Sequence, residues 1–183
     1  MRELSLHILD VLENAVEAGA TRITLTIEED SALDRLLIRV QDNGRGMPPE
    51  VVSRVLDPFF TTRQTRRVGL GLSLLAAAAE RAGGGVEVQS QPGAGTVITA
   101  TFQLRNWDRP PLGDLPGTLL AILLARPPVE FTYVHRVDGR EFRCDTEDLR
   151  QALGDVPLTH PLARAWLQEY LQEGIESLER SAP

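Results

Sequence analysis

Four short segments carry residues whose types and spacing could do chemistry. His7, Asp10, Asn14 and Glu17 recur at helical spacing, so Asp10 and Asn14 stand one turn apart on one stripe. Taken alone, neighbouring carboxylate and amide side chains at that spacing read as the solvent face of an amphipathic helix. Asp42-Asn43-Gly44-Arg45-Gly46-Met47 puts a carboxylate ahead of two glycines. The glycines admit a flat ligand close to the backbone, and the carboxylate can accept from an exocyclic amine; Asn-Gly is also an ordinary turn signal. Asp57-Pro58-Phe59-Phe60-Thr61-Thr62, followed by Arg63, Arg66 and Arg67, looks like a hinge anchored in the core with a cationic flap beyond it. Gly69-Leu70-Gly71-Leu72 opens a helix, whose free amides and dipole suit phosphates.

The elements that must position these groups follow from periodicity. Leu4 to Ala18 reads as an amphipathic helix with Ile8, Val11, Leu12, Ala15 and Ala18 on its apolar side, stopped by Gly19. Arg22 to Glu28 and Arg35 to Gln41 read as adjacent antiparallel strands. A short helix opens at Pro48-Pro49-Glu50 and runs to about Leu56, and a loop from Asp57 to Val68 leads into an alanine-rich helix from Gly69 to Ala82. Val86 to Gln89 and Thr96 to Leu104 alternate as two more strands around Pro92-Gly93-Ala94-Gly95. Composition shifts at Asn106 to Pro111, which divides the chain into residues 1–104 and an extension over 105–183. The extension reads as a helix near Thr118 to Ala125, a hairpin turning at Asp138-Gly139, a short helix capped by Asp145 or Thr146, and a last amphipathic helix. The hairpin should set His135 against Phe142 and Tyr133 against Cys144. Trp107, Trp166 and the stripe Leu162, Trp166, Tyr170 or Leu171, Ile175 and Leu178 read as core.

Composition excludes several functions. The chain has 183 residues, 42% hydrophobic and 25% charged, which suits a packed core and not disorder. No apolar run reaches the length of a membrane span, and the charged amino terminus lacks a cleavable apolar stretch, so the expectation is a soluble, cytoplasmic protein without a membrane partner. A net charge of −7 argues against nucleic acid. One cysteine and three histidines leave no disulfide and no spaced metal cluster. All nineteen cationic side chains are arginine, and without lysine a Walker A loop is excluded.

Taken in order, the segments resemble the GHKL ATPases: type II topoisomerases, large heat-shock chaperones, histidine kinases and MutL proteins. Glu13-Asn14-Ala15 with Glu17-Ala18-Gly19-Ala20 looks like their N box in its MutL form, and Asp42 to Gly46 like the G1 box. Asp57 to Thr62 resembles the kinase F box, Gly69 to Leu72 the G2 box, and Gly93-Ala94-Gly95-Thr96 the late Gly-x-Gly-Thr. The resemblance covers about residues 4 to 104 and implies an α+β fold, a two-layer α/β sandwich of the Bergerat type with a small C-terminal α/β extension. It also implies a site for ATP and Mg²⁺. Asn14 would ligate the magnesium, Asp42 would take the adenine amine, Gly44, Gly46 and Met47 would border the base, and Thr96 would assist through its hydroxyl or a water. Gly69, Leu70, Gly71 and Leu72 would present amides to the phosphates, with Thr61, Thr62, Arg63, Arg66 and Arg67 beside them.

Asp10 occupies the position of the family's catalytic carboxylate, one methylene shorter than glutamate. His7 sits in Leu6-His7-Ile8-Leu9-Asp10, without the flanking pattern of a phosphoacceptor box, and reads as a helix-face residue. The eight residues between Phe60 and Gly69 are too few for a MutL-like lid. The expected function is therefore phosphoryl transfer to a partner protein or ATP hydrolysis in signal transduction. A non-catalytic ATP sensor and a MutL-like dimeric clamp are the alternatives. The implied protein partner is a phosphoacceptor or a regulated complex, a hydrogenase-related one among them.

Overall fold

The computed structural model describes residues 3–57, 59, 71–125 and 128–179. Its elements are α1 (Leu4–Glu17), β1 (Arg22–Asp30), β2 (Arg35–Asp42), α2 (Pro49–Val52), α3 (Gly71–Arg81), β3 (Gly85–Gln91), β4 (Gly95–Gln103), α4 (Leu115–Leu123), β5 (Glu130–Val137), β6 (Arg140–Asp145), α5 (Thr146–Leu153) and α6 (Pro161–Glu179). All six strands join one mixed sheet in the order β3-β4-β2-β1-β5-β6. Every neighbouring pair is antiparallel except β1 and β5.

Alternation along the strands makes the layers. Ile23, Leu25 and Ile27, with Leu36, Ile38, Val40, Ile98, Ala100, Phe102, Phe131 and Tyr133, are buried, whereas the intervening Thr24, Thr26, Arg39, Thr99 and Thr101 are not. Ile8, Val11, Leu12 and Ala15 of α1, Leu75, Ala78 and Ala79 of α3, Leu119 of α4, and Leu167 and Leu171 of α6 share that core. This is a two-layer α+β sandwich with its helices over the buried face.

The extension is not set apart from the first hundred residues. β5 enters beside β1 in parallel, with Ile23 opposite Phe131 and Ile27 opposite His135. The Asp138-Gly139 turn has positive φ at both residues (48° and 83°), the form whose twist suits a two-residue hairpin. It pairs Tyr133 with Cys144 and His135 with Phe142. Asp145 caps α5, its side chain accepting from the Asp148 amide.

Three local features depart from the sequence reading. The helix after Pro48 spans only Pro49–Val52 before the chain loosens into turns. The buried seam of α6 is Ala163, Leu167, Leu171, Ile175 and Leu178; Leu162 is exposed, and Trp166 lies on the flank stacked against Tyr170 at 5.3 Å between ring centroids. Trp107 is fully exposed in the turn that follows β4.

Because Leu171 lies in the common core, Leu171→Ala should lower unfolding stability by about 2–5 kcal/mol, with one cooperative transition in denaturant. Two separated transitions would show that residues 105–183 unfold on their own.

Candidate nucleotide site

The carboxyl-terminal end of β2 gathers the candidate groups. α1 has no side-chain cap; instead the amides of Leu4 and Ser5 donate to the carbonyls of Pro111 (2.9 Å) and Leu112 (2.8 Å), so the extension holds the start of the helix that carries Asp10 and Asn14. At the other end of α1 the Ala18 carbonyl accepts from the Arg45 amide at 3.0 Å, docking the G1 turn one helical turn beyond Asn14. A Cβ on Gly44 would stand 3.0 Å from the Ala18 Cβ, so this approach has little room for a larger residue.

Asn43 staples the turn to β1. Its Oδ1 accepts from the amides of Thr21 (2.9 Å) and Arg22 (2.8 Å), and its Nδ2 donates to the Thr21 hydroxyl (2.9 Å). Asp42, half-buried, is held by backbone amides. Its Oδ1 accepts from the Gly44 amide at 2.7 Å, and the Thr96 amide, opposite it in the β2–β4 ladder, also supports the carboxylate. Burial raises the Asp42 pKa from its ordinary 3.8, partly opposed by those two amides.

The turn between β3 and β4 closes the far side. The Gly93 amide donates to the Arg45 carbonyl at 2.7 Å. The Met47 amide donates to Ser90 Oγ at 2.8 Å, and Ser90 Oγ lies 2.9 Å from the Gly95 carbonyl and 2.8 Å from Thr96 Oγ1. Thus Asp42, Gly44, Gly46, Met47 and Thr96 form one neighbourhood, with Ser90 as a member that sequence reading missed. Its strand position before a Gly-containing turn was the available signal, but a serine there is a common turn residue.

On the side expected to hold phosphate, α1 meets the first described residue of α3. A Cβ on Gly71 would lie 3.1 Å from both Cβ and Oδ2 of Asp10, so the carboxylate abuts the Gly71 backbone. Leu72 sends its side chain into the core, which leaves only its backbone to face a ligand. Thr61, Thr62, Arg63, Arg66, Arg67, Gly69 and Leu70 lie outside the described residues. Phe59 is 94% exposed, with its amide bonded to Asp57 Oδ1 at 2.8 Å; it is no core anchor. Phe60 lies outside the described residues.

His7 also departs from expectation. It is buried, not a solvent-face residue, because α3 covers that side of α1. Its ring hydrogen-bonds to the Gly71 backbone, and burial above all, with neighbouring positive charge that includes Arg81, depresses its pKa below 6.5. A polar cleft of about 460 Å³ lined by Thr21, Arg22, Asn43, Glu130 and Arg150, among others, contains none of the expected site residues, although Asn43 belongs to the G1 segment.

The family described as "Histidine kinase-, DNA gyrase B-, and HSP90-like ATPase" matches residues 2–106. The chain belongs to this family. Among curated relatives of this GHKL domain, sensor histidine kinase ZraS of Salmonella typhi is 36% identical over 93 residues, covering 50% of this chain and 20% of that protein. Sensor protein kinase FleS of Pseudomonas aeruginosa is 37% identical over 97 residues, covering 53% and 24%. The chain therefore spans about a fifth to a quarter of these kinases' lengths. Among solved structures, the Aquifex aeolicus MutL ATPase domain complexed with ADP aligns with TM-score 0.52 and 20% identity over 79% of this chain and 63% of that one. The N-terminal domain of a DNA repair protein aligns with TM-score 0.61 and 13% identity, covering 85% and 58%. At such identities these structures establish the fold.

The raised pKa of Asp42 gives a stability test of the GHKL site. An acid whose folded pKa exceeds its unfolded value destabilises the fold once pH rises through that interval, and contributes no penalty below it. Asp42→Asn should therefore melt above wild type at pH 7 in nucleotide-free buffer, with the gap closing near about pH 3. Equal melting temperatures at pH 7 would contradict a desolvated Asp42.

Proposed function

We propose that this GHKL domain binds Mg·ATP and transfers the terminal phosphoryl group to a partner protein or to water. The observation that carries the proposal is the arrangement around Asp42: a desolvated carboxylate, fixed by the Gly44 and Thr96 amides, beside glycine backbone at the end of a strand. Such a group accepts from the adenine N6 amine, whereas the O6 of guanine would leave it facing another acceptor, so ATP is favoured over GTP.

Asn14 fits a magnesium role by its chemistry. Its amide oxygen is a hard donor on the α1 stripe that also carries Asp10, and no cluster of three or more His, Cys, Asp or Glu capable of holding a metal occurs among the described residues. Magnesium bound with nucleotide typically takes few protein ligands, the phosphates and waters supplying the rest; when bound it would neutralise phosphate charge. The chain's own residues do the remaining work. The Gly71 backbone and the arginines Arg63, Arg66 and Arg67 face the triphosphate in this reading, and Asp10 orients or deprotonates the attacking hydroxyl or water.

Transfer to a partner is supported by the sensor-kinase relatives. His7 and His135 are each 2% exposed and so are not presented as acceptors, whereas His160, just ahead of α6, is exposed.

Asp42→Ala should weaken ADP binding by about a hundredfold in calorimetry without loss of helical circular dichroism. Asn14→Ala should bind ADP with the same affinity with and without Mg²⁺. With γ-labelled ATP in a single turnover, wild type should release phosphate or label a protein from cell extract, and Asp10→Asn should slow this by about 10²–10⁴-fold. If neither product forms from a protein that binds ATP, the domain is a nucleotide sensor and the transfer reading fails.

A further inference from the structure

We infer that Ser90 is a specificity-determining residue for the purine base, acting by fixing the direction of the Thr96 hydroxyl. The inference rests on the nucleotide reading of the site. A serine hydroxyl has one proton and two acceptor positions. The Met47 amide occupies one acceptor position of Ser90 at 2.8 Å. The Gly95 carbonyl, 2.9 Å away, has no proton, so that contact is a hydrogen bond only when Ser90 donates to it. Ser90 then has no proton for Thr96, and the 2.8 Å contact between the two hydroxyls is a hydrogen bond only when Thr96 donates. This is the one assignment that satisfies all three contacts, and part-buried polar groups favour satisfied networks.

The consequence reaches the ligand. With its proton committed to Ser90, Thr96 Oγ1 offers only lone pairs to the cleft, next to the acceptor carboxylate of Asp42. Both groups then call for a hydrogen at the purine 6-position, from an amine directly or through a water bridged to it. A 6-oxo purine meets two acceptors. Without the Ser90 hydroxyl, Thr96 is free to turn its proton outward and satisfy a 6-oxo group, so selectivity falls even though neither Asp42 nor Thr96 has changed.

The test measures ADP and inosine diphosphate binding to the full chain by calorimetry in Mg²⁺. Wild type should prefer ADP. Ser90→Ala should reduce the ADP-to-inosine-diphosphate affinity ratio by about tenfold, and Ser90→Thr, which restores a hydroxyl, should keep it. Ser90→Cys, closer in size and a poor hydrogen-bonding partner, should behave like the alanine variant and provides the same reading if Ser90→Ala does not fold. A ratio unchanged in the alanine or cysteine variant, including parallel loss of both ligands, overturns the inference: Ser90 would then only brace the turn. Failure of wild type to bind ADP would instead overturn the nucleotide reading itself.

Discussion

The site depends on backbone meeting backbone more closely than side chains permit. A Cβ on Gly46 would collide with the Gln91 carbonyl, and one on Gly95 with the carbonyl of Asp42. Both glycines also have positive φ (68° and 84°), so two requirements coincide at each position. With the G1 turn and the β3–β4 turn thus pressed together, the Gly93 amide bonds the Arg45 carbonyl directly and the Met47 amide reaches the short Ser90 hydroxyl. Asp42 lies at this junction, half-buried, with burial raising its pKa against the opposing Gly44 and Thr96 amides.

The extension matters to this arrangement although none of its side chains has been placed in the site. Its 111–112 carbonyls take the first amides of α1, and α4 packs on that helix. The remainder is tied to β1 by a buried polar chain: Tyr133 Oη to His135 Nδ1 at 2.9 Å, and His135 Nε2 to Glu29 Oε1 at 2.9 Å. Burying Tyr133 and His135 is tolerable because each has a partner, with the chain ending on the partly exposed Glu29, and it fixes the β1–β5 register in a way that apolar residues alone would do less sharply. Gly174 in α6 makes room for the Phe142 ring, which in turn lies edge-on to Tyr133. The same segment thus closes one side of the core and holds the helix that bears Asp10 and Asn14.

Much of this was legible in the residues, and the failures have physical causes. The four strands of the first hundred residues are found where alternation puts them, within two residues at each end, and the Asp-Gly turn sets the hairpin register. Local periodicity could not show that β5 would lie parallel beside β1, since that pairing joins residues over a hundred positions apart. Nor could it fix the rotation of α6, where Leu162 and Ala163 both continue plausible stripes and the smaller residue is the buried one. His7 was misplaced for a related reason: a polar residue on a polar stripe reads as solvated until a second helix covers it. Asp42 was recognisable as a carboxylate beside glycines, whereas its desolvation and Ser90's part in the network are properties of assembled backbone.

The acid at position 10 shows how closely α1 and α3 approach each other. Aspartate reaches one methylene less far than glutamate from α1, yet Gly71 brings the backbone of α3 to within ordinary contact of its carboxylate, where any side chain would crowd it. His7, one turn earlier, hydrogen-bonds to that same Gly71 backbone, and burial lowers its pKa. The buried histidine is thus part of the contact between α1 and α3 that sets Asp10 against the Gly71 backbone.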